Sequence, residues 1–556
     1  MLRALLRLLS RPLTATIEWA CELLGQLRLG RAGMLELRVH SSMRHPLLSL
    51  RLLDSAVRRM RPRGLLLILE EPAWGWATLA EWRGALARWR EDGLFIVVYS
   101  EQLGNRGLYL ASVADRVLMP PLADVGLVGV AAKMSFYGQA LNKLGVQVDV
   151  VAAGAYKSFG ESYTRAYGSA ENREAMGALV GDLNDELMRA VAEGRRLDPA
   201  SVRALMTRSP LSTEQARQAG LIDVVCHEDG VDRVLEEMLG PRARRVRARG
   251  LSRLAQTADW MARFLSQDPV LAVVHLSGPV TSGQEPSSGA ARIGAAEVAP
   301  VLRALREHPV IEGVVLSIQS PGGSALASDT IWREIELLGR SKPVVAHLSD
   351  VAASGGYYIA APAREIVAHA GTITGSIGVV GGKLAIGGAL ARFGVHSEWI
   401  ASGPNASMYS PDQPFDDAQR ALFRARLQDT YDVFLRRVSA GRRRPVASIE
   451  PVAQGRVWSG RAALDAGLVD HIGGLDLAIE RLRALVGIRP GQAVVRHDLV
   501  VAPPRPWMRR LLPAWGASAP AALRLVGLLP GPSEGMMLIA ENPGEPMALL
   551  PVDLEI

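Results

Sequence analysis

The chain repeats itself at a fixed offset, and that constrains its fold more than any other feature. Gly64-Leu-Leu-Leu-Ile-Leu-Glu-Glu-Pro72 aligns with Gly313-Val-Val-Leu-Ser-Ile-Gln-Ser-Pro321, 249 residues further on. In the same register Gly107-Leu-Tyr109-Leu-Ala111 meets Gly356-Tyr-Tyr358-Ile-Ala360, Gly126 and Gly129 meet Gly375 and Gly378, and Gly154 meets Gly403. Two large domains of one design are therefore expected. The copies differ in chemistry. Asn105 stands opposite Ser354, Ala73 and Trp74 opposite Gly322 and Gly323, and Lys157 opposite Ala406. One half keeps a lysine and the other a serine, as two halves sharing one composite site would.

Within each half, short apolar runs alternate with amphipathic stretches. Leu65 to Leu69, Phe95 to Tyr99, Val314 to Ile318 and Val344 to Leu348 have the length of buried strands, while Leu79 to Arg90 and Ser328 to Leu338 read as helices. The alternation predicts α/β domains with mainly parallel sheets. The expected division is an N-terminal amphipathic segment over 1–50, a first repeat over 51–227, a basic connector with helical parts over 228–268, a second repeat over 269–487 opened by a strand at Val270 to Leu276, and a Pro-rich tail over 488–556.

Hydrophobic residues make up 48% of the chain, which excludes wholesale disorder. The net charge of +7 is spread along the sequence apart from Arg242 to Arg253 and Arg436 to Arg444, so an anionic membrane surface ranks above nucleic acid as a partner. Arg3, Arg7 and Arg11 share one face of an N-terminal amphipathic helix suited to a bilayer surface or to packing on the protein, but charges interrupt every window long enough to cross a membrane. Cys21 and Cys226 have neither disulfide-framework nor metal spacing, and neither a ligand cluster nor a phosphate loop is evident, so no cofactor or metal is expected.

Three segments carry candidate chemistry. Ser354, in Ala352-Ala-Ser-Gly-Gly-Tyr-Tyr358, follows an apolar run and precedes two glycines, the setting of a nucleophile on a tight strand-to-helix turn. Ser320-Pro-Gly322-Gly323-Ser324 also follows a strand and offers backbone N–H groups for an oxyanion hole, with Gly375-Ser376-Ile-Gly378 downstream. A serine hydroxyl needs a base. Only five of the 63 cationic residues are lysine, namely Lys133, Lys143, Lys157, Lys342 and Lys383, so each invites the question of why a titratable amine is kept. Lys157 lies beside apolar Val150 to Ala153; Lys383 and His369 compete with it, and the near-equivalence of Lys383 and Lys133 in the repeat favours a shared structural role for those two.

Gly313 to Val380, with Ser-Pro-Gly-Gly-Ser, Ala-Ala-Ser-Gly-Gly-Tyr-Tyr and Thr-Gly-Ser-Ile-Gly-Val, resembles the signal peptide peptidase A family, also called protease IV. Lys143-Leu-Gly-Val, Gly154-Ala-Tyr-Lys-Ser158 and Val457-Trp-Ser-Gly-Arg-Ala-Ala with Gly467-Leu-Val-Asp470 fit its long duplicated bacterial form, over about Gly64 to Leu485. The resemblance implies a tandem of Clp-protease-like, crotonase-related domains, a Ser-Lys dyad and a homotetramer. It makes Ser354 the nucleophile, Lys157 the general base, Ser376 the hydroxyl orienting the lysine, and the backbone near Gly323 and Gly355 the oxyanion site. The activity it implies is cleavage of hydrophobic peptides such as released signal peptides, at the bacterial inner membrane. The N-terminus departs from the family pattern in lacking a clear anchor. A crotonase-like acyl-CoA enzyme would use the same fold and glycines without a serine nucleophile, and a non-catalytic membrane-associated scaffold would need neither Ser354 nor Lys157.

Overall fold

The computed structural model describes residues 33–41, 43, 46–241, 243–247, 268–283, 291–500 and 547–549. The N-terminal amphipathic stretch over 1–32, Cys21 and most of the Pro-rich tail lie outside them. The chain forms two compact units: 1–130 with 183–269 and 493–496, and 131–182 with 270–492 and 497–556.

The first unit is built on a six-stranded parallel sheet. Numbering strands along the whole chain, it contains β1 (Gly33–Val39), β2 (Gly64–Leu69), β3 (Phe95–Tyr99), β4 (Arg116–Met119), β8 (Val224–Val225) and β9 (Arg244–Arg247), in the order β8-β4-β3-β2-β1-β9. A small antiparallel pair, β5 (Asp124–Val125) with β7 (Leu211–Ser212), accompanies it. The apolar run Gly64–Leu69 is almost entirely buried, as expected of a strand covered on both faces.

The described residues from 33 to 50 differ from the expected N-terminal segment in belonging to the first unit, and the expected connector contributes a strand as well as its helical part. Gly33–Val39 is an inner strand whose Glu36 and Arg38 disguise it as polar sequence, although Glu36 is buried beside Arg38 and Arg245. Pro46–Met60 is a helix, as is Val231–Leu239. Within the arginine run, Arg244–Arg247 forms β9 on the sheet edge, where charged residues discourage pairing with other chains.

The second unit holds an eight-stranded sheet and a six-stranded one. The first contains β10 (Val270–Ser277), β13 (Ile311–Ser320), β15 (Val344–Ala353), β16 (Glu365–Ala368), β17 (Ile373–Gly375), β19 (Val457–Ser459), β20 (His471–Ile472) and β21 (Val495–Val500). Its main path runs β19-β17-β15-β13-β10-β21, and β16 and β20 branch from β15. The pairs β10–β13, β13–β15, β15–β16 and β15–β17 are parallel, and β17–β19 is antiparallel. The other sheet runs β12 (Ile293–Gly294), β11 (Val280–Thr281), β14 (Gly322–Ser324), β22 (Met547–Leu549), β18 (Val379–Ala385), β6 (Gln147–Ala153).

Residues 131–182 therefore belong in space with the second repeat, although the sequence places them in the first. β6 pairs antiparallel with all of β18, from Val379 opposite Ala153 to Ala385 opposite Gln147. Val151 and Ala153 enter the main apolar core, and Phe159 and Tyr163 pack with Val380. Buried Asp149 fixes the strand further by accepting from Phe415 N at 2.7 Å and from both guanidinium nitrogens of Arg420.

Candidate active site

β15 ends at Ala353 and the helix Gly355–Ala360 begins two residues later, so Ser354 occupies the corner. Its backbone is at φ 57, ψ −116, a conformation that costs an L-residue energy and that marks nucleophiles displayed on sharp turns. Two backbone bonds hold it there: Ser354 N donates to Gly375 O and Tyr358 N to Ser354 O, each at 2.8 Å.

Lys157 lies just past the end of β6, and the β6–β18 pairing delivers it to this corner. Its Nζ is 2.8 Å from Ser354 Oγ, 2.9 Å from Ser376 Oγ and 3.1 Å from Ser376 O. Ser354 and Ser376 are fully buried and Lys157 is 4% exposed. Burial pushes the lysine well below its usual value, because a charged ammonium there would lose its hydration. An uncharged amine has two N–H groups and one lone pair. With Ser376 O and Oγ as acceptors for the two N–H groups, the lone pair remains to accept the Ser354 hydroxyl proton.

The glycines expected to receive an oxyanion adjoin this corner. A Cβ built on Gly355 would stand 3.1 Å from Gly323 N and 2.7 Å from Ser328 Oγ, so the two backbones approach as only glycine permits. Gly322 and Gly323 have φ of 110° and 153°, and a side chain on Gly323 would strike Val280 O at 2.0 Å.

Sequence reasoning missed the clamp that positions the lysine. Gly455, at φ 81°, lies so close that a Cβ would be 2.6 Å from the N, Cα and Cβ of Lys157. Gln454 O accepts from Tyr156 N at 2.8 Å, and Gly455 N donates to Ile377 O at 2.7 Å. Arg456 O takes the Ser376 N–H at 2.7 Å, and its guanidinium lies over Trp458 and Tyr156 and reaches Glu174 at 2.6 Å. One turn thus fixes both Lys157 and Ser376. The available signal was Gln454-Gly455 just before the Val457-Trp-Ser motif.

The other proton-acceptor candidates have different surroundings. Lys383 is buried, but its Nζ donates to Met408 O at 2.6 Å and Ser410 O at 3.1 Å and lies over Phe415. Lys133 is exposed and so differs in its setting from buried Lys383. His369 follows β16, edge-on to His347.

The first unit shows what became of the matching corner. The Glu71 carboxylate, opposite Ser320 in the repeat, accepts from the N–H groups of Gly104, Arg106 and Gly107 at 2.8 to 3.2 Å. Asn105, opposite Ser354, accepts from Val128 N and Gly129 N and donates to Gly129 O. A fixed carboxylate and amide fill the corner that the second repeat leaves to a serine.

Peptidase family S49 matches residues 89–240 and 336–489, one stretch in each repeat. Among curated proteins, the chloroplastic serine protease SPPA of Arabidopsis thaliana is 32% identical over 75% of this chain and 62% of its own. Protease 4 of Haemophilus influenzae is 30% identical over 74% of this chain and 68% of its own, and Protease 4 of Salmonella typhi 29% over 73% and 66%. The chain thus spans about two thirds of these relatives. Among solved structures, a membrane-bound stomatin-specific protease covers 43% of this chain and all of its own at 14% identity and a TM-score of 0.28. With the family matched in both repeats, across more than half of the sequence, this chain belongs to peptidase family S49.

Proposed function

We propose that this protein is a serine endopeptidase in which Ser354 attacks a peptide carbonyl and Lys157 serves as the base. The 2.8 Å contact between the buried Lys157 amine and the strained Ser354 hydroxyl carries the reading. Lys157 Nζ takes the hydroxyl proton as Oγ bonds to the carbonyl carbon. The carbonyl oxygen gains negative charge and is held by backbone N–H groups at Gly323 and Gly355, where one donor is worth about a hundredfold to a thousandfold in rate. The lysine ammonium then protonates the departing amine, leaving an acyl-enzyme. Water loses a proton to Lys157 as it attacks the ester, and Ser354 regains its proton when the acid leaves. Ser376 supplies the acceptors that aim the amine.

The substrate class supported by family membership is hydrophobic peptide, including signal peptides released during protein export, with the enzyme at the surface of a bacterial inner membrane. Among the described residues no helix is long and apolar enough to cross a membrane. Self-association, as a tetramer, belongs to the same reading. β6 pairs with β18, and 396–402, at the repeat offset from β6, are exposed and form no strand, with Ile400 98% accessible. A second copy would cover them, and Ile400→Glu should then lower the mass seen in sedimentation.

The test is hydrolysis of an apolar fluorogenic peptide against pH by wild type, Ser354→Ala and Lys157→Arg. Both variants should be folded and inactive, and wild-type activity should rise through one ionisation well below that of free lysine. Activity retained by Lys157→Arg would reject the dyad, since arginine stays protonated.

A further inference from the structure

The second unit has a cavity of about 490 Å³ where the C-terminal ends of the helices Ala325–Ser341 and Asp417–Arg442 meet the turns that lead into β15 and β16. β15 starts on the cavity wall at Val344 and ends at Ala353, so at about 3.3 Å per residue the cavity lies roughly 30 Å from Ser354. Four cations line it, Arg340, Lys342, Arg364 and Arg443, against one carboxylate, Glu336. Glu336 is engaged by Arg333 and Arg340, and Lys342 donates to the carbonyls of Leu305 and His308. Among the described residues, the side chains of Arg364 and Arg443 have no hydrogen-bond or ion-pair partner. Trp332, 5% exposed, lines the same cavity, and its buried Nε1 donor has no acceptor among the described residues.

The matching corner of the first unit is filled and its charges are paired. At the repeat offset of 249, Arg90 stands in place of Gly339 and Asp115 in place of Arg364. Arg90 and Asp115 pair at 2.7 Å, and Arg90 also donates to Val113 O. Glu91 and Gly93 stand in place of Arg340 and Lys342. The second repeat thus has open space where the first has an arginine side chain, since a Cβ on Gly339 would meet nothing within 4 Å, and it has cations where the first has two carboxylates and a glycine. Like charges gathered round a hollow repel one another, and a bound anion would relieve that repulsion.

We propose that this cavity binds a molecule bearing a phosphate monoester or diphosphate, held chiefly by the guanidinium groups of Arg364 and Arg443. Guanidinium forks match phosphate oxygens in pairs. Four cations against one carboxylate leave an excess of three positive charges, of which a carboxylate ligand would match one. A phosphate monoester carries nearly two at neutral pH, and a diphosphate more. The volume falls within the range of about 300–1,000 Å³ usual for small-molecule sites, so the phosphate is one end of a larger ligand. The site is separate from the Ser354 corner and does not depend on the peptidase reading.

The experiment uses the full chain as wild type, Arg364→Asp, the double variant Gly339→Arg with Arg364→Asp, and Arg233→Asp. The double variant supplies the pair that the first unit already accommodates, which separates loss of the site from loss of the fold. Arg233, 85% exposed on the helix Val231–Leu239, controls for a general change in charge. Calorimetric titration with sodium pyrophosphate should show binding to wild type and Arg233→Asp, weakened about tenfold or more in the other two, and pyrophosphate should raise the melting temperature of wild type alone or with Arg233→Asp. Sedimentation with phosphatidylcholine vesicles containing phosphatidic acid distinguishes the source: vesicle binding with the same dependence on Arg364, in the absence of pyrophosphate binding, assigns the site to a phosphate on a lipid headgroup. Absence of binding to both probes, equal binding by all four proteins, or equal affinity for sodium succinate would overturn the proposal.

Discussion

Gly455→Ala tests whether catalysis depends on a glycine that touches no substrate. The new methyl would be placed 2.6 Å from the N, Cα and Cβ of Lys157, whereas ordinary contacts of this kind begin near 3.4 Å. Those three atoms are main chain or directly attached to it, so the lysine loop itself must retreat by about 0.8 Å, the difference between these distances. Alanine at φ 81° adds about 1–2 kcal/mol of backbone strain. A retreat of that size turns the 2.8 Å Nζ–Oγ contact into one longer than a hydrogen bond. Misplacement of a reacting group by about 1 Å typically costs about a hundredfold. We therefore expect kcat on an apolar fluorogenic peptide to fall about a hundredfold, KM to change little, and phosphonate labelling of Ser354 to slow in parallel. Gly339→Ala, in the helix Ala325–Ser341 with nothing within 4 Å of the added methyl, is the control and should be neutral or slightly stabilising. A kcat for Gly455→Ala within about threefold of wild type would refute the clamp, because no arrangement retaining the 2.8 Å contact accommodates the methyl without moving the lysine.

Other outcomes follow from the same contacts. Lys157→Met should abolish hydrolysis and raise the melting temperature. The buried lysine has a depressed pKa, so between its folded and unfolded values unfolding takes up a proton and stability rises with pH; the methionine advantage should shrink as pH climbs towards 10.5 in calorimetry. Ser376→Ala removes one of the acceptors that aim the amine and should lower kcat about tenfold while moving the pH–rate midpoint, a shift that mere loosening of the fold would not produce. Asp470→Asn weakens the partly exposed pair with Arg442 and should cost about 1–2 kcal/mol in denaturant unfolding, with kcat of the remaining folded enzyme unchanged.

The repeat and its strands were readable because buried parallel strands demand continuous apolar runs, and Leu65 to Leu69 and Val344 to Leu348 supply them. Ser354 was readable for a related reason, since a displayed turn after a strand needs small neighbours. Spatial partition was not. Gln147–Ala153 carries no mark saying that it will pair with Val379–Ala385 rather than with its own repeat, and pairing of segments so distant depends on edges that only the folded sheet presents. The clamp escaped because the repeat register changes before it. Arg195–Asp223 and Arg442–Asp470 make the same partly buried pair, with Asp223 accepting from Val117 N and Asp470 from Ile366 N, yet they are 247 rather than 249 residues apart. At that later offset Gly455 falls on Arg208, so comparing the copies offers no glycine to notice.

The first repeat also argues for the role of the second's backbone. Arg106 and Gly107 correspond to Gly355 and Gly356, and Glu71 to Ser320. In the first unit the N–H groups of Arg106 and Gly107 converge on the Glu71 carboxylate, even though burial pushes its pKa up and those N–H bonds only partly offset the cost. These N–H groups hold the half-buried carboxylate in place. Ser320 has no acidic side chain, so on the proposed reading the corresponding N–H of Gly355 would serve an anion that arises during reaction. On the serine-peptidase reading proposed above, one corner would be satisfied by its own glutamate and the other left for a transient oxyanion. Ser320→Glu would test this by supplying the second corner with the plug of the first. The expected result is a folded protein whose Ser354 no longer reacts with phosphonate, and undiminished labelling would break the equivalence.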